Sequence, residues 1–310
     1  MRKKVLLLVN SAAGTGSARQ NTYRMVEVLA CHGCEVTVYP ILPGQGMTAE
    51  NILAECEGRF DLTACCGGDG TLNHVICGLM ALSHRPPLGY LPSGSTNDFA
   101  NSLGVPYDLE AGCTAMADGR PFAYDIGRFN QTYFNYVAAF GAFTAVSYST
   151  PQDIKNVLGH AAYVLKGILS LSENIGYRCH MKVEHDGQAE EDEYLYGAVS
   201  NATSVGGFTA PNAHRVQLND GLFEVMLIKA PANLREVEQI VTALASGGSS
   251  PYVRQFQTGF IRFSAFQRTA WTLDGEYGGT PDSVEITVQP RAMEILLPRG
   301  EAGSDEEEHF

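Results

Sequence analysis

Two glycines, an acid, a third glycine and a hydroxyl stand in the order Gly67-Gly68-Asp69-Gly70-Thr71, between the apolar run that ends at Cys65-Cys66 and the helix-like stretch that starts at Leu72-Asn73. Glycines let backbone amides approach an anion closely, a helix start carries unpaired N–H groups, and a single carboxylate can hold a divalent cation or accept a proton. The chemistry this spacing suits is the handling of phosphates. An ordinary strand-to-helix turn would also use glycines, but it needs no acid fixed between them ahead of Thr-Leu-Asn.

Two other segments have the same build. Lys4-Val5-Leu6-Leu7-Leu8-Val9 reads as a buried strand and runs into Asn10-Ser11-Ala12-Ala13-Gly14-Thr15-Gly16-Ser17, a polar loop that opens a helix. Leu88-Gly89-Tyr90-Leu91 leads into Pro92-Ser93-Gly94-Ser95-Thr96-Asn97-Asp98-Phe99-Ala100, again small and hydroxylated residues with an acid just inside the next helix. In an open parallel sheet the carboxyl ends of the strands share one edge, so loops distant in sequence gather around one ligand. ATP phosphates are expected along that edge.

Together these segments resemble the diacylglycerol kinase catalytic-domain family, bacterial lipid kinases related to sphingosine kinases. The resemblance continues through Asp125-Ile126-Gly127, Asn219-Asp220-Gly221-Leu222 and Asp274-Gly275-Glu276, in order along nearly the whole chain. It implies an α/β N-terminal domain with a mostly parallel sheet, like that of NAD and lipid kinases, and a C-terminal, mainly antiparallel β-sandwich domain. It also implies ATP and Mg2+ as cofactors and transfer of the γ-phosphoryl group to a lipid hydroxyl, most simply that of diacylglycerol, in a cleft between the domains. On this reading Asn10, Gly14, Gly67, Gly68, Asp69, Gly70, Thr71, Asn73, Ser95 and Asn97 hold the nucleotide. Asp69 and Glu276 are the candidate catalytic residues, Asp69 as metal ligand or base and Glu276 as proton acceptor. Gln217, Asp220 and Leu222 form a magnesium loop, and Asp98 and Asp125 extend a polar network between that loop and Asp69.

The chain also departs from the family pattern. Ser11 replaces a proline, His74 a glutamate, Ser95-Thr96 a threonine-glycine pair and Asn219 an aspartate, while Pro40 stands where a threonine often lies near the nucleotide. Thr96 brings a β-branched side chain where glycine would permit unusual backbone angles, and Asn219 leaves the metal loop one charge short. Two alternatives follow: an NAD kinase-like enzyme, which shares the Gly-Gly-Asp-Gly turn, and a nucleotide-binding regulatory module without catalysis.

Positioning these residues requires two domains. Up to residue 127 apolar strands alternate with helical stretches at Tyr23–Ala30, Thr48–Glu55, Leu72–Leu82 and Thr96–Leu103, the signature of a parallel sheet with helices on its faces. From 128 to 298 hairpin signals dominate, at Phe129-Asn130-Gln131-Thr132 and Glu184-His185-Asp186-Gly187. Strands are expected at Ala198–Ser200, Leu222–Ile228, Phe260–Phe263, Val284–Val288 and Met293–Leu297, and helices at Val157–Leu171 and Leu234–Ala245. The apolar stretch Ala161–Leu171, with Phe140, Phe143 and Tyr148, suits either an acyl-chain groove or a buried core helix. Residues 299–310, with Asp305-Glu306-Glu307-Glu308, read as a solvated acidic tail.

Composition sets the surroundings. No apolar run approaches the roughly eighteen residues of a membrane span, and Met1-Arg2-Lys3-Lys4 leads into a strand instead of a cleavage site. Eight cysteines, two adjacent in a buried strand, do not form a disulfide framework in a chain of 310 residues, so a reducing cytoplasm is expected, with peripheral contact at the inner membrane face. Cys31-His32-Gly33-Cys34 has no second metal-ligand pair and reads as a helix end with Gly33 as its cap. The net charge is −13, and −8 without the five acids beyond Gly300, which disfavours nucleic acid and strong attachment to anionic lipid. The expected partner is a lipid substrate met transiently at a membrane surface, and a homodimer is compatible with the chain.

Overall fold

The computed structural model describes residues 2–10, 17–94, 97–141, 178–202, 204–205, 208–209, 216–246 and 250–299. Gly14 and its loop, Ser95 and Thr96, Phe143, Tyr148, the expected helix at 157–171 and the acidic tail lie outside these residues. The chain divides into two compact units. The first takes Met1–Ile126, Leu218–Asp220 and the chain from Gln289 onward, and the second takes Gly127–Gln217 and Gly221–Val288.

The first unit alternates strand and helix: β1 (Lys3–Val9), α1 (Ser17–Cys31), β2 (Cys34–Pro40), α2 (Ala49–Glu55), β3 (Leu62–Gly67), α3 (Asp69–Met80), β4 (Leu88–Pro92), α4 (Asp98–Leu103), α5 (Leu109–Asp118) and the start of β5 (Arg120–Phe129). β2, β1, β3 and β4 lie side by side in parallel, in that order. Val5, Leu7, Val9, Ala64, Cys66 and Leu91 meet Met25 and Leu29 of α1 and Cys113 and Met116 of α5 in one buried cluster. On the opposite face Leu6 and Thr63 meet Leu53 and Cys56 of the α2 end at a small cavity. A sheet buried on both faces needs unbroken apolar strands, which is why β1 and β3 show no alternation. Gly33 caps α1 with φ of +79°.

The second unit is antiparallel. After β6 (Thr132–Phe134) and β7 (Val137–Gly141) come β8 (Cys179–His185), β9 (Gln188–Ser200), the short pair β10 (Ser204–Val205) and β11 (Phe208–Thr209), β12 (Phe223–Lys229), α6 (Leu234–Ser246), β13 (Val253–Thr258), β14 (Phe260–Ala265), β15 (Trp271–Leu273), β16 (Glu276–Gly279) and β17 (Ser283–Leu297). β9 is the hub and pairs with β7, β8 and β12. The core gathers Phe129, Phe134, Phe140, Phe223, Phe263 and Trp271, and the Trp271 ring lies 4.8 Å from Phe140 and 5.2 Å from both Phe129 and Phe263.

Three elements correct the sequence reading. α5 was not anticipated, although Asp108 caps it by accepting the Ala111 N–H at 2.9 Å. β9 extends ten residues N-terminal to Ala198, through Glu190-Glu191-Asp192-Glu193, because residues distant in the chain partner these acids: Arg178 bonds Glu193 at 2.6 Å, His180 meets Glu191 at 2.9 Å, and Lys229 and Arg254 pair with Asp192 and Glu190. The two strands expected near the C-terminus are one, β17, which continues through Pro290 and a left-handed Arg291 (φ +48°).

Candidate active site

In the first unit the ends of β1, β3 and β4 converge. Asn10, just past β1, donates its backbone N–H to the Cys66 carbonyl at 3.1 Å and its side-chain amide to Thr71 Oγ1 at 2.8 Å. Ser93, just past β4, donates to the Gly67 carbonyl at 2.9 Å, as Tyr90 Oη does at 3.1 Å. The Asp98 N–H donates to Asp69 Oδ2 at 3.1 Å. The three loops predicted to face phosphate are therefore tied to one another by hydrogen bonds that radiate from the Gly67–Thr71 turn.

Local sequence explains each piece. Gly68 is the N-cap of α3 in extended conformation, with no side-chain cap, and Asp69 and Thr71 fall in the first turn. That arrangement leaves backbone donors at the helix start and puts a carboxylate at its positive end. Gly68 and Gly94 come so close that a Cβ on either would crowd the other's backbone. Asn97 sits at φ +52° and closes its own loop, accepting the Gly94 N–H at 3.0 Å and donating to the Gly94 carbonyl at 2.9 Å. Its amide thus shapes the β4 loop. Asn73 is buried one turn into α3, where its Oδ1 accepts from the Cys77 thiol at 3.7 Å.

Electrostatics keep the neighbouring groups neutral. Burial pushes the Cys65 thiol well up and the Cys66 thiol to about 11, so neither is a nucleophile beside the turn. Burial and then the Asp69 charge push the Tyr90 hydroxyl well above its ordinary value, which keeps it a hydrogen-bond donor to Gly67.

Asp98 and Asp125 are both buried. Asp98 reaches Asp69 through its backbone amide, and Asp125 Oδ1 accepts the Arg291 N–H at 2.6 Å. The Asp125 N–H donates to the Leu218 carbonyl at 2.9 Å, and Arg291 Nε to the Asn219 carbonyl at 3.4 Å, so the loop leading to Asp220 is anchored inside the first unit. Sequence reasoning took Tyr90 only as a residue of the strand before Pro92 and missed Arg291, which stands far from the motifs in sequence. Asp220 is exposed, and its loop offers a carboxylate and backbone carbonyls, hard oxygen donors of the kind magnesium prefers. No three His, Cys, Asp or Glu side chains cluster among the described residues, so an ion here would be held by one carboxylate, carbonyls and water.

Glu276 belongs to the second unit. It is the first residue of β16, exposed, and paired with Leu273 across the two-residue turn Asp274-Gly275, whose φ angles of +50° and +86° are those of a tight hairpin.

Residues 4–129 match the diacylglycerol kinase catalytic domain and residues 137–297 the YegS C-terminal NAD kinase beta sandwich-like domain. A diacylglycerol kinase of Bacillus subtilis (strain 168) is 34% identical over 249 residues, 79% of this chain and 80% of that protein. One of Staphylococcus aureus (strain MRSA252) is 31% identical over 304 residues, 96% of this chain and 93% of that protein. The crystal structure of a diacylglycerol kinase from Bacillus anthracis str. Sterne superposes with a TM-score of 0.72 at 22% identity, covering 95% of this chain and 97% of that one, which establishes the shared fold.

Proposed function

The chain belongs to the diacylglycerol kinase family and is a lipid kinase of that family, and from this premise we propose that it transfers the γ-phosphoryl group of ATP to the primary hydroxyl of diacylglycerol, giving phosphatidic acid. The observation that carries this reading is the tying of Asn10, Ser93 and Asp98 to the Gly67–Thr71 turn at one helix start. Phosphoryl transfer asks for positioned phosphates, neutralised charge and a group that takes the proton of the attacking hydroxyl.

The chain's residues divide that work. The backbone amides at the start of α3, with Thr71, orient the phosphates, and Asn10 holds Thr71 in place. Asp69 is the metal ligand or base at the turn, and Glu276 is the proton acceptor. Asp220, with the carbonyls of Gln217 and Leu222, would hold the loop magnesium. Magnesium, when bound, supplies positive charge against the phosphates and the acidic network.

The reading is tested by transfer of labelled γ-phosphate from Mg-ATP to diacylglycerol, ceramide, sphingosine and monoacylglycerol in mixed micelles, with NAD as a soluble comparison. Labelled phosphatidic acid is the expected product. Label on NAD alone would favour the NAD kinase reading, and ATP binding with no product on any acceptor would favour a regulatory module.

A further inference from the structure

We infer that Asp274 is a positioning residue of the transfer site, its carboxylate locking the turn that presents Glu276; the inference rests on the reading of Glu276 as proton acceptor. The Asp274 side chain is a carboxylate only 3% exposed. Oδ2 accepts the Asn135 N–H at 2.6 Å, and Oδ1 accepts the Tyr136 N–H at 2.9 Å and the Val137 N–H at 3.0 Å. The Asp274 N–H returns a bond to the Val137 carbonyl at 2.8 Å. Three consecutive amides of the β6–β7 corner thus converge on one carboxylate.

A hairpin of two left-handed residues needs Asp-Gly only for its backbone angles, and its acid ordinarily points to water. Here the acid is turned inward, although burying a carboxylate is costly unless hydrogen bonds compensate. Charge-assisted bonds to backbone N–H groups are among the stronger ones and supply that compensation. The result is a turn fixed from two sides. β15 pairs with β7 through Leu273 and Ala138, and the next residue, Asp274, is bolted to the chain just before that pair. Glu276 is the first residue paired beyond the turn, so its backbone position follows from the clamp.

Asp274→Asn keeps the shape but places an amide donor against backbone donors, so part of the clamp opens. The expected result is a fall in kcat of about tenfold to a hundredfold, the cost of misplacing a catalytic group by roughly an ångström, with the KM for ATP within about twofold. Amide hydrogen exchange at Asn135, Tyr136 and Val137 should speed up in D274N and stay slow in E276Q. The acid limb of the kcat–pH profile should persist in D274N and vanish in E276Q. Should D274N fail to fold, D274S, whose hydroxyl can still accept from this corner, is read in the same way.

Unchanged exchange at the three amides in D274N would overturn the clamp. Loss of the acid limb in D274N, as in E276Q, would overturn it also, because Asp274 would then take the proton itself. If E276Q transfers phosphate at the wild-type rate, the reading of Glu276 fails and the inference falls with it. Slow exchange in D274N beside a slowed E276Q would sink the inference alone.

Discussion

A Cβ added to Gly94 would stand 2.7 Å from the Cα of Gly68, so the loops that end β3 and β4 touch backbone to backbone. The Gly68 atom is backbone and cannot swing aside, and the same Cβ would also press on Asn97 Oδ1 at 2.8 Å. Gly94→Ala should therefore push the β4 loop off the Gly67–Thr71 turn, raising the KM for ATP by about tenfold or more while costing about 1–3 kcal/mol of stability, the usual range for overpacking. Steady-state kinetics in ATP together with urea unfolding check this. An unchanged KM would mean that these loops do not hold the nucleotide.

Asp69→Asn keeps the helix start and removes the charge. Under the proposed mechanism kcat should fall by about 10²–10⁴-fold, the range for losing a positioned acid–base or charge-stabilising group. Circular dichroism should show the fold unchanged. Wild-type turnover in this variant would remove Asp69 from the chemistry.

Magnesium should raise the melting temperature of the wild-type chain through the Asp220 loop, because an ion that binds only the folded state stabilises it by mass action. Asp220→Ala leaves no carboxylate in that loop, and the magnesium-dependent shift should disappear. Calorimetry with and without chelator measures it, and an equal shift in both proteins would place the ion elsewhere.

His74, in α3, donates from Nδ1 to Glu50 Oε1 at 2.7 Å and ties α3 to α2. Burial raises the Glu50 carboxyl, but the hydrogen bond from His74 and smaller contributions outweigh it, and the net shift is downward. A carboxyl lowered in the folded state adds stability that is complete above its unfolded value and is lost as pH falls through the folded one. Both side chains are more than a third exposed, so solvent screening keeps the effect under about 1 kcal/mol. The stability difference between wild type and Glu50→Gln, followed by thermal melts, should shrink as pH falls through the carboxylate range. A difference that grows across that range would contradict the sign.

Trp271 is 1% exposed and packed among three phenylalanines. Trp271→Ala should cost about 3–5 kcal/mol, the range for deleting a large buried aromatic. Denaturant unfolding measures the loss, and a change under 1 kcal/mol would mean the core collapses into the gap without penalty.

The sequence alone determined the elements whose causes are local. Unbroken apolar runs became the parallel strands β1, β3 and β4, because a strand covered on both faces has no polar side to alternate. Asn130 and Asp186-Gly187 became the left-handed turns of two hairpins, since only such residues accept those angles cheaply. The Gly67–Thr71 turn was legible as a candidate phosphate site because its glycines, acid and hydroxyl each answer a separate chemical need within five residues.

What only the tertiary structure decided depends on partners distant in the chain. Four consecutive acids from Glu190 could be read as a strand only once Arg178, His180, Lys229 and Arg254, all distant in the chain or on other strands, were found beside them. Likewise Asp274 looked like a turn residue, and its burial against amides 137 to 139 positions away follows from pairing between β15 and β7. Side-chain type records what a residue can do, but hydrogen-bond partners separated by more than a hundred residues are assigned by packing, which no local spacing encodes.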